Sequence, residues 1–421
     1  MKDKIQGFFE KITPTLEKIS ANKYLQTIMA AMMATLGPII LGSVAILVNL
    51  ATSKLKIVSL TNVLNAINTF TIGAMALYIA FLMAKYLVPY FLKNDDGTMA
   101  GIISIMSFLI LTPLGQITQK SGSVAAIPTT WLSAQGVFSA MITGLIVGRI
   151  YAYIRQHGWT IKMPSSVPPM VSQAFSALIP AIVIGSLFGV ISFLFALTSW
   201  GSVHQMIFSL IQTPLNNIGG SIWSAVFVSL LMQILWFFGI HGTNVINPLV
   251  TPVWLAMDMQ NLNAASKGQP LPNIVGGAFF HIVCWGGLAL GLVLLMTFTA
   301  KSKQYKELGR ISIVPALFGI TEPVIFGTPL VLNFDLAVPF ITNNSIALII
   351  AYVLTKMGIV SRFIGSQAVF GLPLGFHAAV EGSISIIVMQ LLIQLVLSPL
   401  LWYPWFKRMD NKAYKLEQQS K

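Results

Sequence analysis

Ninety-five consecutive residues, positions 163 to 257, pass without a single Asp, Glu, Lys or Arg. No water-facing surface is built that way, because soluble domains carry roughly a quarter charged residues. One helix crosses the hydrocarbon core of a bilayer with about 20 apolar residues, so this stretch alone holds several crossings. Across the 421 residues only 9% are charged and 55% are apolar. The chain is therefore read as an all-α polytopic membrane protein.

The same arithmetic excludes other classes. A net charge of +13 on a soluble chain would point to nucleic acid. Here it has a simpler source, the Lys and Arg bias of cytoplasmic loops, and no nucleic-acid partner is expected. The single cysteine, Cys284, lies in an apolar run and rules out a disulfide framework or a paired-cysteine metal site. Nothing has the spacing of a zinc set, a phosphate loop or a Ser/His/Asp order, so no metal and no cofactor are expected. The first 23 residues lack the apolar core of a signal peptide.

Apolar runs fall near 25–50, 69–89, 99–117, 134–154, 171–198, 220–240, 246–257, 275–299, 333–355 and 382–405, about ten crossings. With the amino terminus inside, 19 of the 25 basic residues fall on inner segments. That asymmetry puts both termini in the cytoplasm, with the spans in contact with lipid. Residues 1–24 carry Ile5, Phe8, Phe9, Ile12, Leu16 and Ile19 at helical spacing opposite Lys4, Lys11 and Lys18, the pattern of a helix lying in the interface. Residues 25–200 form a first bundle of five helices, 201–219 an uncharged interfacial linker helix containing His204, and 220–421 a second bundle.

Backbone at membrane depth is irregular only where protein or a wet cavity satisfies its polar groups. Two stretches break repeatedly and read as re-entrant hairpins, near 311–332 and 362–381. In the first, Pro323 disfavours helical backbone at Glu322, and Gly327 and Pro329 interrupt again. A carboxylate there costs roughly 2.5–3.5 kcal/mol on insertion scales. It therefore needs a ligand to hold or N–H groups of its own hairpin to cap. Thr321 stands beside it. His241 ends one apolar run and opens another with Thr243, Asn244 and Asn247, as at a helix end opening onto a polar cavity; a neutral imidazole both donates and accepts. Asp335 reads as a helix cap. Glu381 and His377 suit a cavity or a cap equally, and His281 reads as packing. Trp285 with Gly286, Phe370 and Trp131 lie where a ring could stack on a sugar.

At these residues the chain resembles a known family. WFFGIHGTNVINP and GITEPVIFGTPLVLN are similar to signature stretches of the membrane (IIC) component of bacterial phosphotransferase-system sugar transporters, lactose/cellobiose/diacetylchitobiose type. ANKYLQTI and QPLPNIVGGAF match as well. The resemblance implies a homodimer of ten-helix subunits with two re-entrant hairpins, a dimerising first bundle and a sugar-binding second bundle. The binding histidine and glutamate fall on His241 and Glu322. The sugar, a disaccharide of the cellobiose, lactose or diacetylchitobiose class, is phosphorylated at its 6-hydroxyl by a phosphocysteine on a IIB protein, with IIA upstream. Cys284 is intramembrane, so both are separate partners. Glu322 would also take the proton from that hydroxyl as a general base. The chain departs from the family at SQAVFGLPLGFHAAVEG, with Phe370 where a tryptophan is expected, and at TLGPIILGS. Both changes bear on which sugar stacks. The competing reading is an ion-coupled secondary transporter with Glu322 or Glu381 carrying a proton, since broken helices mark those folds too; a sugar sensor that moves nothing is the third.

Overall fold

The computed structural model describes residues 18, 21–54, 58–119, 122–161, 163–164, 167–328, 330–368 and 371–419. The helix expected over 1–24 falls almost wholly outside them, and so does Phe370. Helices dominate the described residues. Seven are long and apolar enough to span a bilayer, or eight if Val203–Gly219 and Ile222–Phe237 count as one broken span. Each of the ten expected runs contains a helix, but Thr98–Leu111 is shorter than a span. Thr112, Pro113 and Gly115 end it, and the expected run 99–117 gives way to a two-stranded antiparallel ribbon, Gly115–Gln119 with Gly122–Ala126, in which Ile117 faces Val124. Apart from this short ribbon, the described residues are consistent with an all-α polytopic membrane protein.

Two compact units emerge: Ala21–Asn217 with Thr251–Gln269, and Ile218–Val250 with Pro270–Lys421. The helix Gly242–Ser266 divides between them. In the amino-terminal unit, Met75–Leu87 is the central helix, and Ala76, Ala80 and Ala84 form its fully buried small-residue face. Gly144 and Gly148 of Val137–Gln156 press on that face. A Cβ at Gly144 would lie 2.4 Å from the Cβ of Met83, and one at Gly148 would lie 3.1 Å from the Cα of Ala84. Lipid tails are as apolar as leucine, so close van der Waals contact through small residues drives such pairs. The linker residues are tied into this same unit. His204 is buried between the hydroxyls of Thr112, 3.0 Å away, and Ser139, 2.8 Å away. Gln212 donates to the carbonyl of Ala134 at 3.0 Å.

In the carboxy-terminal unit the span Gly277–Thr299 is broken at its middle. Gly286, Gly287 and Leu288 all have left-handed backbone, with φ of 56°, 61° and 53°. The first two are glycines because a Cβ is strained there. A break at this depth leaves carbonyls that lipid cannot satisfy. The last long helical segment, Ile384–Gln419, supplies the donors from every fourth residue. Gln390 donates to Ile282, Gln394 to Trp285 at 3.0 Å, and both Ser398 and Trp402 to Leu288, at 2.6 and 2.8 Å. These four side chains are completely buried.

Gly144→Ala places a methyl where the neighbouring helix already stands. Overpacking of this kind costs about 1–3 kcal/mol. A lower thermal unfolding midpoint in detergent is the expected result, whereas an unchanged midpoint would show that this crossing is looser than described.

Candidate functional site

The helix Lys303–Ala316 leads into the first irregular stretch. Its amino end is held by two carboxylates of the last helix. Buried Asp410 accepts the N–H groups of Lys301 and Ser302, and Glu417 accepts the hydroxyl of Ser302 and the N–H groups of Lys303 and Gln304. Carboxylates are favoured at a helix amino terminus, where N–H groups are unpaired. At its other end the helix stops at Gly319, with φ of 78°, whose N–H reaches the carbonyl of Ala316. A Cβ on Gly319 would meet the Trp285 indole at 3.1 Å, and one on Gly286 would meet Thr321 at 3.3 Å. The break in the spanning helix and the turn before Glu322 are therefore packed backbone to backbone.

Glu322 opens the six-residue helix Glu322–Gly327, with Pro323 directly behind it. Proline is tolerated in a first turn because its missing N–H has no helical partner there. This stretch bonds to its own carbonyls: Val324 and Ile325 donate to Thr321, Thr328 to Val324, and Leu330 to Ile325. None of these bonds uses the Glu322 carboxylate. That side chain is exposed and has no hydrogen-bond or ion-pair partner among the described residues. The capping role considered for it is absent.

His241 closes the turn after Ile222–Phe237 and precedes Gly242–Ser266. Its Nδ1 accepts the N–H of Asn244 at 3.3 Å, so the histidine caps the following helix. Its ring lies 4.2 Å from that of Trp236. An accepting Nδ1 leaves Nε2 to carry the proton in the neutral ring, and His241 presents an N–H donor. The Asn244 side chain is exposed without a partner among the described residues, and Asn247 Oδ1 is buried without one. The His241 turn is sewn to the hairpin: Leu332 donates to the carbonyl of Phe237 at 2.9 Å, and Phe237 packs on Phe334 at 5.2 Å.

The second irregular stretch joins the same group, with the N–H of Leu374 donating to the carbonyl of Leu317 at 3.0 Å. Gln390 bridges this stretch and the broken span, accepting from Gly375 at 3.0 Å while donating to Ile282. One unit thus gathers His241, Asn244, Thr321, Glu322 and Gly286 onto segments bonded to one another. Trp131 is not among them. It belongs to the amino-terminal unit, where its ring stacks on His204 at 5.6 Å. Trp285 is buried beneath Gly319 and is a floor rather than an open stacking face. Asp335 does not cap a helix: Ala337–Lys356 has no side-chain cap, the Asn333 side chain accepts the N–H of Asp335 itself, and Asp335 lies 3.9 Å from Lys412. Glu381 is buried and accepts the N–H of Gly365 at 3.1 Å, which is a backbone cap. The row Gln390, Gln394, Ser398 and Trp402 was missed in the sequence. Its signal was there, polar residues every fourth position in an apolar segment, with Gly286–Gly287 needing donors elsewhere.

Gln394→Leu leaves the Trp285 carbonyl buried without its donor, a loss of about 1–3 kcal/mol. A lowered unfolding midpoint is expected. An unchanged midpoint would show that the break does not need the row.

A family model described as Phosphotransferase system, EIIC matches residues 29–343. The oligo-beta-mannoside-specific EIIC component of Bacillus subtilis (strain 168) is 32% identical over 97% of this chain and 96% of its own length. The cellobiose-specific EIIC component of Geobacillus stearothermophilus is 29% identical over 97% and 95%. Among solved structures, the crystal structure of the transporter ChbC, the IIC component from the N,N'-diacetylchitobiose-specific phosphotransferase system, superposes with a TM-score of 0.87. It is 31% identical and is covered over 98% of this chain and 99% of that one.

Proposed function

The chain belongs to the phosphotransferase-system EIIC family, and on that premise we propose that it carries a β-linked disaccharide or related sugar through the membrane for phosphorylation at the 6-hydroxyl. The observation that carries this reading is the unpaired Glu322 carboxylate. It opens a short helix in which the N–H groups of Val324, Ile325, Thr328 and Leu330 bond to backbone carbonyls and not to it. A carboxylate in such a position is a strong acceptor without a donor, and a sugar offers several hydroxyl donors. His241 Nε2–H and the Asn244 amide stand on the neighbouring turn as donors to ring or glycosidic oxygens. Gly286, backed by the buried Thr321, lies beneath the sugar.

In this reading the carboxy-terminal unit carries the sugar and exchanges its exposure between the two sides of the membrane. The amino-terminal unit holds two subunits together. Both termini lie in the cytoplasm. A phosphorylated IIB protein, itself charged by IIA, docks on the inner face near Lys303, Lys306, Arg310, Lys407 and Arg408. It passes phosphate to the 6-hydroxyl while Glu322 accepts the hydroxyl's proton. The added charge then prevents return. Relatives named for oligo-beta-mannosides, cellobiose and N,N'-diacetylchitobiose support the β-linked class. Glu381 is occupied as a backbone cap, which argues against its carrying a coupling proton.

Glu322→Gln keeps the shape and removes the charge. Sugar binding retained within a few-fold, with phosphoryl transfer from IIB lost, is the result expected for a proton acceptor. Equal loss of both reduces Glu322 to a binding group, and retention of both refutes a role in either. His241→Ala removes one donor, and an affinity about tenfold weaker, or 1.4 kcal/mol, is expected by calorimetry. No change in affinity would remove His241 from the site.

A further inference from the structure

Two basic side chains of the amino-terminal unit have no place in the sugar site. Lys23 opens the helix Lys23–Ala34, and Arg149 lies in Val137–Gln156, one turn before Tyr153. Both approach one aromatic ring. Lys23 Nζ is 3.8 Å from the centroid of Phe91, and Arg149 Cζ is 4.5 Å from the same point. The two positive centres are therefore no farther apart than the sum of those distances. Neither has a carboxylate partner among the described residues. The described acids of this region are engaged elsewhere. Asp95 pairs with Arg155 at 3.6 Å and accepts from Tyr151 and from the N–H of Gly97. Asp96 accepts from Thr98.

Arg149 Nη1 is, in addition, buried without a hydrogen-bond partner among the described residues. A buried donor left unpaired carries the full cost of its lost hydration, more so when charged. Two cations on one ring also repel, the more strongly in a low-dielectric surrounding. The cation–π contacts offset part of this. An anion with several acceptor oxygens removes both costs at once, since it takes the free Nη1–H and neutralises the pair.

The surroundings select the kind of anion. Lys23 begins one candidate span and Arg149 lies near the end of another. The basic-residue bias assigns this end to the cytoplasm, the reading on which the orientation rests. Exposed apolar side chains adjoin the pair in the chain: Tyr90 is next to Phe91, and Ile146 lies three residues before Arg149. Basic pockets between spanning helices on the cytoplasmic side suit lipid head groups, and apolar walls suit acyl chains where a free anion would gain nothing from them. We propose that Lys23, Phe91 and Arg149 form a binding site for the phosphodiester of an anionic phospholipid in the cytoplasmic leaflet, with Arg149 Nη1 donating to a phosphate oxygen and Lys23 pairing with the charge.

Native mass spectrometry of the full-length protein tests this with three probes: phosphatidylglycerol, phosphatidylcholine and inorganic phosphate. The wild type should retain phosphatidylglycerol at least tenfold better than phosphatidylcholine. Lys23→Gln with Arg149→Gln should abolish that preference, and Arg149→Lys, which keeps the charge, should retain much of it. If the double variant does not fold, Lys23→Gln alone should reduce the preference several-fold. A preference unchanged in these variants, or absent from the wild type, overturns the proposal. Displacement of the lipid by an equal concentration of inorganic phosphate overturns the lipid assignment and leaves a free-anion site.

Discussion

The carboxy-terminal unit depends on one break in one membrane helix and on the hydrogen bonds that make the break tolerable. At Gly286–Gly287 the chain turns left-handed and leaves carbonyls without partners inside the span. Lipid offers no donor, so each orphaned carbonyl would cost several kcal/mol. Gln390, Gln394, Ser398 and Trp402 answer from a single stripe of the last helical segment. Neither element is stable at that depth alone: the glutamines need acceptors as much as the carbonyls need donors.

From that joint the site follows. The broken backbone brings bare glycine Cα atoms against Thr321 and Gly319. The last helix also fixes the hairpin from outside, through the Asp410 and Glu417 caps on Lys303–Ala316. Phe237 ties the His241 turn to the hairpin's exit. The N–H groups of Val324, Ile325, Thr328 and Leu330 bond to backbone carbonyls without Glu322, so its carboxylate is left over. An exposed carboxylate without a partner is a ready acceptor, and a hydroxylated solute is its natural complement.

Much of this was legible in the chain. The 95-residue uncharged run settled the membrane class, and apolar periodicity located a helix in every expected crossing. Pro323 between Glu322 and Val324, and the polar opening HGTN after WFFGI, pointed to the two turns. What was not legible had a physical reason. The ribbon at 115–126 is short and exposed, and an apolar pattern cannot distinguish it from a fraying helix end. Trp131 looked like a stacking ring because ring type is visible in sequence, but its neighbour His204 is distant in the chain. Glu381 and His377 were balanced between cavity and cap. The contact between Glu381 and Gly365 decided one of them, and only tertiary structure supplies it.

The account turns on whether the leftover carboxylate holds the sugar. A crystal or cryo-EM structure with a β-linked disaccharide bound tests that directly. The expected result is a sugar hydroxyl within about 3 Å of a Glu322 oxygen, with the His241 Nε2–H directed at the same molecule. A sugar bound elsewhere in the unit, with Glu322 turned away from it or pairing with a protein group, would contradict the account.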